Sequence, residues 1–472
     1  MRNSISLQLS GLSVLFTLLF ISINPLFANN LHAASFVEQQ QALVKEKTAG
    51  VIMPETINLS LAEAISRANT YHPTMKLAKT DVEIKQAEAN QSLAVILPQV
   101  NFSMTGTYTN DPLMVFGTKL LQEQVTAADF NPVQLNAPEA LGNWQTKIDV
   151  AQPLFQAEGL MQRKAMKSAL KAQEQMFERT KEGVELEITQ RYLYWVLALE
   201  AKEVVNEALK AAEQNAVDAK LLFEEGVIDK ADLLAAELFV QNLKLQANHQ
   251  QTSAESLADQ LKQRLGFNSE EINLVPSENI DISSYDMGIA GDFESNPENR
   301  ADIKALKHVL SAQNSMYKAT KARFLPSIAA FGSYQWNDEA SLLGQGENFT
   351  VGVQAKVPLF KGGQNLGASQ KQRVMVKQAQ IQLADTERKA INEFRESERN
   401  VELAKKQWAL SKLGQEQAAE AYRIKKDRHQ EGLVRSFELI QSQTNLLTQR
   451  LGFLKAGFDM QLAQKKLEFT AK

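Results

Sequence analysis

The sequence predicts a mainly α chain that carries a small amount of membrane β-structure: a strand hairpin followed by a long coiled-coil helical hairpin, written twice. Three observations predict it. Leu97-Pro98 and Leu325-Pro326 open the same plan: Leu-Pro, an alternating stretch, a loop, a second alternating stretch, Pro-Leu-Phe (153–155 and 358–360) and a long helical run. No proline falls between Pro153 and Pro276 or after Pro358. Tracts of that length rich in Ala, Leu, Glu, Lys and Gln read as helical hairpins or coiled coils. Each run is broken once, at Glu225-Gly226-Val227 and Glu431-Gly432-Leu433. A duplicated unit is expected to bury its faces against its copy.

Along the chain, residues 1–34 read as a secretory signal: Arg2, an apolar stretch over 12–23, then Ala28, Ala33 and Ala34 as candidate cleavage positions. An N-terminal segment follows over 35–58, a first repeat over 59–267, an acidic connector over 268–299 and a second repeat over 300–472. No later stretch approaches the ~20 apolar residues of a membrane helix. There is no cysteine, which excludes disulfides, Cys-ligated metals and a lipidated N-terminal Cys. An exported chain without an apolar helix can still enter a membrane as a closed β-barrel. The formal net charge is -4, so no basic field invites nucleic acid.

Four segments alternate. Val100, Phe102, Met104, Gly106 and Tyr108 share a face of the first; Trp144, Thr146, Ile148 and Val150 of the second. Ile328, Ala330, Gly332, Tyr334 and Trp336 share a face of the third; Phe349, Val351, Val353, Ala355 and Val357 of the fourth. Segments of about 10 residues suit tilted membrane strands. Phe102, Tyr108, Trp144, Tyr334, Trp336 and Phe349 are the candidate lipid-face and girdle residues. Four strands cannot close a barrel, since known barrels begin at about 8. Membrane strands therefore require association: two copies give 8 strands, three give 12. The competing reading is a half-buried sheet on a soluble protein.

The helices are expected over about 159–224 and 364–430, each ~100 Å long at 1.5 Å per residue. Shorter helices over 59–96 and 302–324 lie beside them. Ile188, Tyr192, Trp195 and Leu199 make one stripe, and Phe394, Val401, Trp408 and Tyr422 a second, with small residues Ser397, Ala404, Ser411 and Ala418 three positions on. The returning helices offer Leu257, Leu261, Leu265 and Leu447, Leu451, Leu454, Phe458. These are packing seams rather than cofactor sites.

At the tips, Gly226 and Gly432 suit left-handed helix caps. Six residues on lie Asp232 and Glu438. In an oligomer they form carboxylate rings that select cations; alternatively each favours the positive start of its helix. The five histidines show no metal-ligand spacing, and no nucleophile elbow or P-loop appears. Gly362-Gly363 reads as a turn. Neither a cofactor nor an enzymatic activity is expected.

The chain resembles the TolC-like outer-membrane efflux proteins over essentially all of the mature length. The resemblance rests on the duplicated Leu-Pro-strand openings, Pro-Leu-Phe with Gly-Gly in the second copy, Asn-Arg-Ala-Asp-Ile at 299–303 and the Glu-Gly-Val/Leu tips. It implies a homotrimer in a Gram-negative outer membrane, with a 12-stranded β-barrel on a 12-helix periplasmic α-barrel. It implies a passive exit duct of a tripartite efflux pump, with a periplasmic adaptor and an inner-membrane transporter as partners. The family's aperture acid matches Glu438; the second, three positions on, is Gln441 here and Ala235 in the first copy. Gly226, Val227, Gly432 and Leu433 match the adaptor-docking tips, and Asp229, Lys230 and Arg435 are candidates for salt links that close the pore. Two other functions compete: the exit duct of a type I protein-secretion system, and a soluble periplasmic coiled-coil adaptor or scaffold. Outward-facing Phe102, Tyr108, Trp144, Trp336 and Phe349 argue against the last.

Overall fold

A computed structural model describes residues 55–267, 272–277 and 297–472, apart from 343 and 345. The expected signal segment, nearly all of the N-terminal segment and most of the acidic connector lie outside the described residues. The chain divides into two units. One comprises Met1–Thr56 and Glu270–Asn273, the other Ile57–Ser269 and Leu274–Lys472. Strands β1 (Glu55–Leu59) and β4 (Ile272–Pro276) pair as a two-stranded sheet. The repeats belong to the second unit.

Helix α1 (Leu61–Tyr71) starts at a capping box, in which Ser60 accepts from the Glu63 amide and Glu63 reaches back to the Ser60 amide. The sequence suggests one helix over 59–96, but the chain breaks it at His72-Pro73. A residue before proline is driven to extended backbone; His72 takes φ -60° and ψ 130°. Its Nδ1 accepts from the Thr74 amide at 3.2 Å and caps α2 (Pro73–Gln91). A 3-10 turn, Ser92–Val95, leads to Leu-Pro.

Strand β2 (Gln99–Thr109) is followed by a folded excursion: α3 (Pro112–Leu121), a 3-10 turn (Ala127–Phe130) and α4 (Pro132–Asn136). Strand β3 (Leu141–Gln156) returns and runs through Pro153-Leu154-Phe155, where the periodicity suggests helix. Proline is tolerated in strands at edges and bulges because it lacks a ladder N–H. Both conditions hold here: pairing with β2 stops at Ala151, and the register to the next strand slips between Pro153 and Phe155.

Helix α5 (Ala157–Glu224) and α6 (Lys230–Leu265) form the first long hairpin. The second repeat supplies α7 (Ala301–Ala322), β5 (Ser327–Asp338), β6 (Gly346–Lys356), α8 (Gln364–Gln430) and α9 (Ser436–Ala471). The four longer strands form one antiparallel sheet in the order β2-β3-β5-β6, so the two hairpins are joined through β3 and β5.

The expected seams hold the helices together. Ile188, Tyr192 and Trp195 are fully buried, with the two rings edge-on at 5.7 Å. Leu199 is half-buried. Tyr192 also donates its hydroxyl to the Leu59 carbonyl at 2.9 Å. Val205, Ala212, Val240, Leu243 and Leu447 cluster where α5, α6 and α9 meet. Phe394, Val401 and Leu467 join α8 to α9. Each fully buried side chain of this size contributes roughly 1.5–3 kcal/mol.

The duplication extends to a buried basic side chain that faces a carboxylate on the long helix. Arg300 occupies in the second repeat the place of His72 in the first, with φ -60° and ψ 133° and with Ala301 in the position of Pro73. His72 lies 3.9 Å from Glu187 on α5, and Arg300 lies 2.9 Å from Glu393 on α8. Arg300 also makes two hydrogen bonds to Asp302, at 3.1 and 2.8 Å.

Candidate functional site

The sheet register unites the four alternating sets on one face. Phe102 opposes Ile148, Ile148 opposes Tyr334, and Tyr334 opposes Phe349. The next row is Val100, Val150, Gly332 and Val351. Residues directly opposite across antiparallel strands point to the same side, and a slip of one residue would invert the whole face. The face is exposed at Phe102 (64%), Phe349 (73%) and Val351 (74%). It is broad and unpartnered, where monomeric soluble proteins seldom leave large contiguous apolar patches.

Of the candidate lipid-face and girdle residues, Tyr108, Trp144, Tyr334 and Trp336 lie toward the loop end of this face. Trp144 opposes Gly106, and its ring covers the glycine so closely that an added Cβ would lie 2.8 Å from it. Tyr334 and Trp336 contact edge-on at 4.8 Å. Tyr108 pairs with Gly142 and is exposed. The reverse face is polar: Ser103, Lys147, Gln335 and Asn348 form one row, Asn101, Asp149, Ser333 and Thr350 another. Gln145 and Gln335 bond across it at 3.1 Å. Strands β2 and β6, each 11 residues long, are the outer strands of the sheet.

The two helical hairpin tips are built alike. Gly226 and Gly432 both adopt φ +74°, left-handed backbone that glycine enters without steric cost. In each, the next amide caps the helix end: Val227 donates to Leu222 and Leu433 to Arg428. The tips touch, since a Cβ added at Gly432 would lie 3.8 Å from Val227. Val227 and Leu433 are exposed, as is Phe437.

The candidate aperture residues differ in environment. Asp232 sits in the first turn of α6, where its amide is capped by Asp229 at 2.9 Å. Asp229 is thus a helix cap and Lys230 the first residue of α6. Glu438 lies in the first turn of α9 and is ion-paired with Lys425 on α8. The Lys425 hydrogen bond and charge, with a smaller pull from Arg435, hold its carboxyl below the usual range. Gln441 is exposed one turn later. Lys425 escaped the sequence reading although it faces Glu438 across the Gly432 turn.

His429 escaped it too. It is buried, 3.2 Å from the Ser436 hydroxyl. Burial lowers its pKa against the opposing pull of Asp218 and Asp232 from the first hairpin. The second tip is therefore laced by two side-chain links that the first lacks: Ala219 stands where Lys425 does, and Phe223 and Lys230 stand where His429 and Ser436 do.

No group of three or more His, Asp or Glu that could hold a metal occurs among the described residues. No described helix is long and apolar enough to cross a membrane.

Residues 295–470 match the outer membrane efflux protein family model. The chain is 23% identical over 267 residues to the alkaline protease secretion protein AprF of Pseudomonas aeruginosa, a match covering 54% of each, so the chain spans about half the length of this curated relative. Among solved structures it is similar to CusC, with TM-score 0.73 at 16% identity over 88% of this chain and 92% of that one. It is similar to the Campylobacter jejuni CmeC outer membrane channel, with TM-score 0.70 at 19% identity over 87% and 85%. It is also similar to the Neisseria gonorrhoeae MtrE outer membrane channel, with TM-score 0.68 at 15% identity over 87% and 88%. At these identities the structural likeness establishes the fold.

Proposed function

From the match of residues 295–470 to the outer membrane efflux protein family and from its fold, we propose that this chain is a TolC-like outer membrane efflux protein and forms a passive exit duct through the outer membrane. It accepts small molecules from an inner-membrane transporter through a periplasmic adaptor. The observation that carries the reading is the sheet: one apolar face, one polar face and two outer strands. Unpaired strand edges are not tolerated in lipid. Alternating strand directions make β6 of one copy antiparallel to β2 of the next. A head-to-tail interface of this kind closes into a ring, and three copies complete a 12-stranded barrel with its apolar face in lipid and its polar face around water. The four long-hairpin helices α5, α6, α8 and α9 of each copy, with the shorter α1, α2 and α7 beside them, then continue the conduit as an α-barrel, four packed helical positions per copy.

The duct needs no chemistry of its own, and the chain is read as a conduit rather than an enzyme. Val227, Gly432 and Leu433 offer an exposed apolar tip to an adaptor. Asp232 and Glu438 stand near the tip turns, where three copies bring them into rings. Glu438 is partly neutralised by Lys425, so the charge of this aperture is set by the pair rather than by the acid alone.

Planar-bilayer recording of the purified protein tests both levels. The reading expects stable channels, and Glu438→Ala should change their conductance or cation preference. Unchanged currents would remove Glu438 from the gate while leaving the duct; absence of channels would overturn the duct. AprF is named for protease secretion, which supports a second reading as a secretion duct. Loss of an exported polypeptide on deletion of the chain, rather than sensitivity to small toxic compounds, would favour it.

A further inference from the structure

The excursion between β2 and β3 does not stand away from the sheet. It leaves β2 at one edge and crosses the polar face to the strand at the other edge. The Asn348 side-chain amide on β6 donates to the Leu121 carbonyl at 3.2 Å. The backbone at Gly346 runs so close beneath that an added Cβ would lie 2.1 Å from that carbonyl oxygen. The Gln122 amide then donates to the Gly142 carbonyl at 3.0 Å and to Asn143 Oδ1 at 2.9 Å. Asn143 in turn donates to Asn337 Oδ1 on β5 at 3.1 Å. Gln122, Asn143 and Asn337 are all buried, and buried amide ladders are costly to break because each group left unpaired loses its solvation.

The crossing is held by these contacts against local preference. Glu123, next to Gln122, has φ +58°, a conformation that side chains other than glycine rarely adopt. The excursion is also folded in itself. Asp111 caps α3, Val115 is buried, Phe116 and Phe130 meet edge-on at 5.7 Å, and Lys119 pairs with Asp129 at 2.6 Å.

We propose that this excursion is a fixed constriction across the outer mouth of the duct, acting as a filter for the size and charge of what leaves. The inference rests on the proposed duct, in which the polar face surrounds the lumen. Three copies then hold three folded excursions across one opening. Their charge is one-sided: Asp111, Glu123 and Glu139 have no lysine or arginine to offset them within the excursion, since Lys119 is committed to Asp129. Acids at a narrow opening favour cations and slow large anions.

Thr109 and Leu141 are directly opposite in register, so an Asn-Gly turn replacing residues 110–140 rejoins the strands without shifting them. In planar bilayers this shortened variant should conduct at least about twofold more than the full chain and discriminate less between K⁺ and Cl⁻. Unchanged conductance and selectivity would overturn the constriction. Absence of channels from the full chain would instead overturn the duct reading, and the inference with it. The full chain supplies an independent measurement. Because it has no cysteine, Gln124→Cys can be coupled to completion with a bulky thiosulfonate reagent, as checked by mass. Labelling should cut the current by half or more, and an unaltered current would overturn the proposal.

Discussion

Val351→Arg should prevent assembly of the protein in the outer membrane, whereas Thr350→Arg, one residue earlier, should not. Val351 is midway along β6, is 74% exposed, and continues the row of Val100, Val150 and Gly332. If that row faces hydrocarbon near the bilayer midplane, an arginine there costs roughly 2–4 kcal/mol. Every copy in the proposed ring would carry the same cost, so it would multiply with the number of protomers. Thr350 lies on the opposite face with Ser333, Asp149 and Asn101. An arginine there would enter water and meet an acid two strands away, with little penalty. The same reasoning applies to Val353, one row nearer the helices. Outer-membrane fractionation of the pair reads the difference. Equal assembly of both variants would sink the assignment of faces, and with it the reason for a shared barrel.

Arg300→Met should lower the stability of the helical part by roughly 2–3 kcal/mol, less than the roughly 3–5 kcal/mol of a fully buried pair, because the Asp302 and Glu393 carboxylates keep access to water. Arg300 is 5% exposed and links the start of α7 to α8 through Asp302 and Glu393. Arg179 of α5 approaches Asp302 at 3.9 Å and stacks its guanidinium on Phe469 of α9 at 3.7 Å, so four helices meet at the network. Burial pushes the Asp302 carboxyl up, but the Arg300 hydrogen bonds and charge outweigh it, aided by Arg179 and the Ile303 amide. The carboxyl is held below its usual value.

The sign of the pH dependence follows. With a depressed folded pKa, the contribution of Asp302 is complete above the ordinary aspartate value of about 3.9 and is lost as pH falls through the lower folded value. In Arg300→Met the partly buried carboxyl loses its main partner and its pKa rises. Acidification through that raised value then relieves a penalty. Urea unfolding of the two proteins between pH 7 and pH 3 should show the stability gap narrowing toward acid. A constant gap would mean that Arg300 contributes packing rather than charge.

Much of this architecture is legible in the sequence because its punctuation is duplicated. Gly226 and Gly432 stop α5 and α8 within a residue or two of the expected ends, since a left-handed cap is a local requirement. The four alternating sets merge on one face because period two leaves no freedom once the register is set. Proline misleads twice for physical reasons that need the neighbours to be known. At His72-Pro73 it splits one expected helix into two, the second capped by the His72 side chain. At Pro153 it marks not a strand end but a strand with only one partner and a bulge.

What the sequence leaves dark is contact between residues that belong to different elements. Lys425, His429 and Ser436 carry no motif; they matter because α8 and α9 meet at the tip. The amides Gln122, Asn143, Asn337 and Asn348 look like ordinary polar positions until the excursion is seen to cross the sheet. Arg300 stands inside a motif, yet its partner Glu393 is one of many acids on a long helix.

The native mass of the protein extracted by detergent from outer membranes tests the shared barrel most directly. The account predicts a trimer, found in that fraction alone and released only with detergent. A soluble monomer recovered without detergent would contradict it, because the apolar face and both outer strands would then have to survive in water unpaired.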